Sequence, residues 1–501
     1  MGITRFSTHL AILKARALAR AKPGLLAVAL LLGLYASYLP FSGYDALYYD
    51  ANNYWELGRQ YGKTGAFQFL SFTDSLRGYF FPLLLAPLAI LGPHIDCSPI
   101  ALMRPLGAIM AAVLFGALGP ALWRAIGVPT SSRVSLFRRL VFGVLGFALW
   151  RDYFNFSLTD FPALFALATT LWALLSGRSV GKSLLSGVAL GAAVNMRPVL
   201  LAALPFVGLL ALLPEPDQAS PAGGLRRQGA WAHRGVVALG LTLVLAPQFY
   251  LNKHHFGVGT PWVLARQPAE NNGLYLKQLS WGLQYQKYET NIGKDYPTAE
   301  MFFLDQRGAA LLNTSAGGRL GGQSQYLVLA LQHPLALLGV WQRHLFNGLD
   351  LQYPSPYIKK VYVRTWPLAW LNYTVLFGGL AVLLSKLKRR GASLRVWLVL
   401  AALLMPCVAA VPVAVECRFF LPLHLVLSAA VAFGAQPMRA WRTASGWQRV
   451  GWVTTYAVVV AACFMASVKA QNSLEHGPRA LFALREEHHV VNQTKHSRPS
   501  C

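Results

Sequence analysis

Carboxylates are scarce in this chain: 19 Asp and Glu stand against 45 Lys and Arg in 501 residues. The five cysteines (Cys97, Cys407, Cys417, Cys463 and Cys501) are scattered, with no CxxC pair and no ligand spacing. Neither a disulfide framework nor a zinc site is indicated. Charged residues make up 13% of the chain, well short of the roughly 25% of soluble domains. There is no nucleotide-binding glycine loop. No internal repeat or low-complexity tract is present.

What is abundant is apolar. Hydrophobic residues reach 55% and mean hydropathy is +0.41. Apolar runs of roughly 17–25 residues, enough to cross a bilayer, recur along the whole length. They are continuous and not alternating, which points to helices and excludes a barrel. The net charge of +26 invites a nucleic-acid partner, but loops on the cytoplasmic side of a membrane protein collect Lys and Arg for topological reasons. No nucleic acid is expected.

Taken in order, a basic segment (Arg5, Lys14, Arg16, Arg20, Lys22) precedes an apolar run from Leu25 to Phe41. The run is longer than a signal-peptide core and no A-x-A site follows, so it reads as an uncleaved first span with the N-terminus inside. The stretch from Arg77 to Gly92 is short and broken by Pro82 and Pro87, and reads as a juxtamembrane or re-entrant helix. Ten more spans are expected at about 99–123, 138–152, 160–177, 182–195, 198–214, 235–251, 367–385, 395–413, 419–435 and 450–468. Basic loops carrying Arg124, Arg133, Arg138, Arg139, Arg178, Lys182 and the stretch SKLKRRGASLR then all fall inside. The loop from Leu213 to Gly235, rich in Pro, Gly and Ser, reads as flexible.

The expected fold is all-α, a bundle of about 11 transmembrane helices with periplasmic juxtamembrane helices. Its parts are an N-terminal module (1–251) with a first outer loop (42–78), a long outer segment (252–366), C-terminal helices (367–468) and a polar tail (469–501). Within 252–366, His333 to Asp350 has apolar residues at helical spacing and reads as an interfacial helix.

Positive-inside rules require Lys and Arg on one face, but they do not require carboxylates on the other. Yet Asp45, Asp50, Asp152, Asp160 and Glu416 all fall outside. A carboxylate there can take a proton from an acceptor hydroxyl, arginines can hold a phosphate leaving group, and a second carboxylate could hold a divalent ion or orient the acceptor. The candidates are Asp50 and Asp160 for catalysis, Asp160 also for a metal, and Asp45, Tyr54, Arg77, Arg197, Glu416 and Arg418 for substrate. Blander readings stand beside them. Asp160 could be a helix cap, Asp45 and Asp50 plain loop acids, Arg197 a snorkelling side chain, and Glu416 and Arg418 a surface pair. His254 and His255 next to Lys253 could touch a phosphate or metal, or be polar surface. Lys359 and Lys360 could meet a lipid phosphate, or simply face solvent or headgroups.

The loop Asp50-Ala-Asn-Asn-Tyr54-Trp-Glu-Leu-Gly58, then Gly65 and RGYFFPLLLAPL, resembles the first outer loop of the GT-C superfamily of integral-membrane glycosyltransferases. Thr159-Asp160-Phe161-Pro162 resembles that family's second-loop motif. APQFYLNKHHFG resembles a later segment through Pro247, Asn252, Phe256 and Gly257; Glu416, Arg418 and Pro422 resemble the entry to a late span. Bacterial lipid A aminoarabinose transferases and protein O-mannosyltransferases are the branches it is similar to. Ala51, Arg77-Gly-Tyr-Phe-Phe-Pro82 and Leu251 depart from the pattern. The resemblance implies a polyprenyl-phosphate-linked sugar as donor, an extracytoplasmic acceptor (glycan, lipid or protein), inversion at the sugar, Asp50 as base, and a site on the periplasmic face of a bacterial inner membrane. A transporter or lipid-linked glycan flippase, and an oligosaccharide polymerase or ligase, are the rival readings.

Overall fold

The structure, a computed structural model, describes residues 22–127, 134–177, 179–213, 223–266, 273–390 and 393–482. The basic segment before Lys22, Arg133, Arg178, most of the first half of the loop after Leu213, and the tail beyond Phe482 lie outside the described residues.

The chain is mostly helical. The N-terminal part comprises α1 (Pro23–Tyr38), α2 (Tyr49–Gln60), α3 (Phe80–Leu91), α4 (Pro99–Ala125), α5 (Leu136–Trp150), α6 (Asp160–Leu175), α7 (Val180–Met196), α8 (Pro198–Leu212) and α9 (Gly223–Phe256). After the middle segment come α14 (Trp366–Arg390), α15 (Leu394–Ala410), α16 (Cys417–Gly434), α17 (Pro437–Thr443) and α18 (Gly446–Gln471). Between them lie α10 (Leu274–Gln284), β1 (Tyr285–Asn291), β2 (Glu300–Leu304), α11 (Gln306–Ala316), α12 (Gln323–Gln332), α13 (Pro334–Leu349) and β3 (Tyr357–Ile358).

Six helical stretches among the described residues are long and apolar enough to cross a membrane: Pro23–Phe41, Pro99–Ala125, Trp231–Phe256, Trp366–Lys388, Cys417–Gly434 and Gly446–Gln471. Each of the other five expected spans also falls on a helix, but a shorter one; α6, with 16 residues, is about 24 Å long against a hydrocarbon core of about 30 Å. The Arg77–Gly92 stretch forms α3, only 12 residues and so about 18 Å, too short to span. It packs instead on α2, where Gly58 lets the Pro82 carbonyl approach to 3.0 Å from the place a β-carbon would occupy.

Local sequence explains the helix ends. Ser135, Ser179 and Ser445 cap α5, α7 and α18 by accepting from backbone N–H groups, and Ser445 with Gln448 completes a capping box. α7 and α9 pack backbone to backbone: a β-carbon on Gly187 would lie 2.0 Å from the Val237 carbonyl, the close approach that small residues permit between apolar helices.

The middle segment adds one small sheet to the otherwise helical fold. It contains a three-stranded sheet ordered β2-β1-β3, with β1 antiparallel to β2 and parallel to β3. The aromatic residues and Thr290 of YQKYETN favour a strand, and its third residue, Lys287, is fully buried beside the buried Gln286. The expected interfacial helix is present as α13. The described part of the C-terminal tail is no free polar extension. Leu474 bridges to Phe303, the Leu304 N–H donates to the Ser473 carbonyl, and Arg479 is buried against the sheet.

Candidate functional site

Seven of the predicted side chains meet at one end of the bundle, where α2, α6, α7 and α16 and the turn before α3 come together. Arg418, in the first turn of α16, stands at the centre. It donates to the Glu416 carboxylate at 2.7 Å. Its terminal nitrogens lie 3.8 Å from Asp50 Oδ2 and 3.7 Å from Asp160 Oδ2, charge–charge distances too long for hydrogen bonds. Its Nε is buried and has no hydrogen-bond partner among the described residues. One guanidinium thus links two carboxylates 110 residues apart in sequence, with unused donor capacity left over.

The other two arginines flank it. Arg77 donates to Asp50 Oδ1 at 2.5 Å and lies over the Tyr54 ring, 5.1 Å from its centroid. Arg197 is hydrogen-bonded to Asp160 and stacks on Phe419 at 5.4 Å. Arg197 precedes Pro198, which disfavours helical backbone there. It is accordingly extended, with φ −137° and ψ 102°, so α7 stops and the side chain turns toward α6. Arg77 is held by Asp74, whose Oδ1 accepts from the backbone N–H of Leu76 and Arg77 at 2.6 and 2.7 Å. Gly78 lets this turn press onto the end of α7; a β-carbon there would sit 2.0 Å from the Asn195 carbonyl.

Asp50 lies in the first turn of α2, after Tyr49, whose φ of 40° falls in the left-handed region that residues other than glycine rarely adopt. Such outliers persist where the surroundings over-determine them and cluster at functional sites. Here the Tyr357 hydroxyl accepts from the Ala51 N–H at 3.2 Å and donates to the Tyr48 carbonyl at 2.8 Å, while Ser157 donates to the Ala51 carbonyl at 2.6 Å. Burial raises the Tyr357 hydroxyl above its ordinary pKa and keeps it protonated for this task. Burial likewise raises Tyr54, with Arg77 pulling the other way.

Asp50 and Asp160 share Arg418 but differ in access. The Asp50 side chain is 45% exposed and that of Asp160 only 2%. The capping alternative for Asp160 does not hold: α6 has no side-chain cap, and the carboxylate turns to arginine. The metal alternative fits poorly, because the two Asp160 oxygens face two guanidinium cations. Among the described residues no group of three or more His, Cys, Asp or Glu is placed to hold a metal ion. Asp45 does not join the cluster: it is exposed and accepts a hydrogen bond from the Tyr48 hydroxyl, which holds its carboxyl below the usual range. His254 and His255 pack ring to ring at 4.6 Å at the end of α9. Lys359 donates to the Gly43 carbonyl and lies over Tyr44.

Several contributing residues were not legible in the sequence. Asp74, Ser157 and Tyr357 carry no motif. Asn195, Gln248 and Asn252 form a buried polar ladder that accepts from the Phe80 N–H beside Arg77 and ends on the Thr260 and Trp262 carbonyls. Only Asn252 was singled out, though two amides one helical turn apart at 248 and 252 in an apolar run are a readable sign of a buried network.

Beside Glu416 lies a second charged cluster. Lys287, fully buried, pairs with Glu289 at 2.9 Å and with Asp350 at 4.0 Å. Arg479 is hydrogen-bonded to Glu289 and stacks on Tyr353 at 4.6 Å. Burial works against the Lys287 ammonium, but Glu289 and Asp350 outweigh it and hold its pKa above the ordinary lysine value. A small cavity of about 30 Å³ is lined by residues of both clusters, among them Glu289 and Glu416, together with Tyr288 and Cys417.

Compared with known protein families and with curated proteins, the chain matches none.

Proposed function

We propose that this protein is a membrane glycosyltransferase that moves a sugar from a polyprenyl-phosphate carrier to an acceptor hydroxyl outside the cytoplasm. The observation that carries the reading is the Arg418 guanidinium, which lies within 4 Å of both Asp50 and Asp160 and keeps a buried, unpartnered Nε. In this reading Asp50, the accessible carboxylate, removes the proton from the acceptor hydroxyl. The acceptor oxygen then bonds to the anomeric carbon as the carbon–oxygen bond to phosphate breaks. The polyprenyl phosphate leaves with the negative charge, and Arg418 stabilises it. Arg77 orients Asp50. Arg197 adds positive charge beside Arg418, and buried Asp160 fixes both arginines, so Asp160 is a positioning residue. Inversion at the sugar follows from the family resemblance.

The proposed setting is a bacterial inner membrane crossed about 11 times, with the basic helix ends in the cytoplasm and the Asp50–Arg418 site on the periplasmic face. Incubating the purified protein in detergent with a panel of polyprenyl-phosphate sugars tests this. Sugar transferred to an acceptor is the expected result. Binding of such lipids with no product from any donor or acceptor overturns the proposal and leaves a transporter or flippase as the reading to test next.

A further inference from the structure

A second cavity, of about 340 Å³, lies toward the other end of the bundle. Trp123, Phe142, Leu400, Leu403 and Val426 form its apolar wall, and Lys386 and Ser393 lie at its edge. It belongs to a different place from the carboxylate cluster. Val426 is eight residues beyond Arg418 on α16, about 12 Å along the helix. Along α6 and α16, the buried Leu164, Leu167 and Leu421 come between Asp160 or Arg418 and the first cavity-lining residues, Ala168 and Leu425. The cavity is flanked by two π-helical segments, Leu114–Leu118 in α4 and Ala430–Gly434 in α16, irregularities that recur at functional sites in helices.

An engineered apolar cavity of about 150 Å³ is large enough for benzene, so this one accommodates a stretch of alkyl chain. Its edge is cationic. Lys386 packs next to Gly434, Arg138 donates to the Phe433 carbonyl, and the exposed Arg124 and Lys388 end the neighbouring helices. An apolar interior with a basic rim matches a chain carrying an anionic head, and basic side chains beside a bilayer attract anionic lipid. We infer that this cavity seats one acyl chain of an anionic membrane phospholipid, with its phosphate at the Lys386 rim. The cavity would keep this role whatever the chemistry at Asp50.

The test is native mass spectrometry of the delipidated, detergent-purified protein with phosphatidylglycerol and with phosphatidylcholine of the same acyl chains. Wild type should retain the anionic lipid in preference to the zwitterionic one. Lys386→Gln should weaken phosphatidylglycerol about fivefold, the share of one basic side chain. Ala429→Phe, which places a ring in the cavity, should remove retention. Ala168→Leu fills less space and serves the same purpose should the larger residue prevent folding. Equal retention of both lipids by wild type, or undiminished phosphatidylglycerol retention in the folded cavity-filling variant, would overturn the inference.

Discussion

Asp50 and Asp160 lie within 4 Å of the same guanidinium, yet their replacement should have different consequences. Asp50 is accessible, so Asp50→Asn removes the proposed base and little packing. Transfer should fall by about 10² to 10⁴-fold, with the melting temperature lowered less than by Asp160→Asn, because Arg77 keeps Asp74 and Arg418 keeps Glu416. Asp160→Asn leaves Arg197 with an uncompensated charge in a largely buried site, a change of the kind that costs about 3–5 kcal/mol, so it should appear first as a lowered melting temperature. Equal effects of both variants on stability would place Asp50 in the scaffold and not in the reaction. Asp152 gives a pH prediction. Burial raises its carboxyl from 3.8 to about 6, against the Tyr38 hydroxyl that donates to it at 2.7 Å and the nearby Arg151. Between those values the folded state binds more protons than the unfolded one, so this group's contribution to stability falls as pH rises through the window. Two units correspond to about 3 kcal/mol. Asp152→Asn should therefore gain stability relative to wild type between about pH 4 and 6 and hold that gain above it; a difference in melting temperature that does not vary over that range would contradict this.

Among elements, those set by one dominant force were readable and those set by several were not. Spans such as 99–123 and 450–468 correspond to α4 and α18 because continuous apolar runs admit little but helix in a membrane. β1 was missed because YQKYETN is a polar strand whose buried lysine depends on the carboxylates of Glu289 and, just after α13, Asp350, with Arg479 from beyond α18 pairing with Glu289. The sequence pattern cannot display a partner about 190 residues away. The motif residues Asp50, Asp160, Glu416 and Arg418 were legible because acids are rare here and these lie next to apolar runs. Asp74 and Tyr357, equally involved in setting the site, act through backbone contacts that leave no spacing to read. The segment after α18 behaves as a strap. Arg479→Met removes the cation from Glu289 while keeping the apolar stem, and should cost about 3–5 kcal/mol. Hydrogen exchange should quicken in 285–304 before it changes in the apolar helices. Unaltered protection of β1 and β2 would show that the strap does not hold the sheet.

At the scale of the whole molecule, charge is sorted along the bundle. One end carries Arg124, Arg138, Lys182 and Lys386; the other gathers Asp50, Asp160 and Glu416 with three arginines between them. A basic end is what the proposed cytoplasmic placement of that end would produce. The mixed end has no such cause, and that contrast is what the proposed reaction explains. The measurement that bears most directly on it is a structure of the protein with a non-transferable polyprenyl-phosphate sugar analogue. The account predicts the phosphate hydrogen-bonded to the Arg418 guanidinium, with the anomeric carbon facing Asp50. A phosphate bound instead at the opposite end, among Arg138 and Lys386, with Arg418 unchanged, would contradict it.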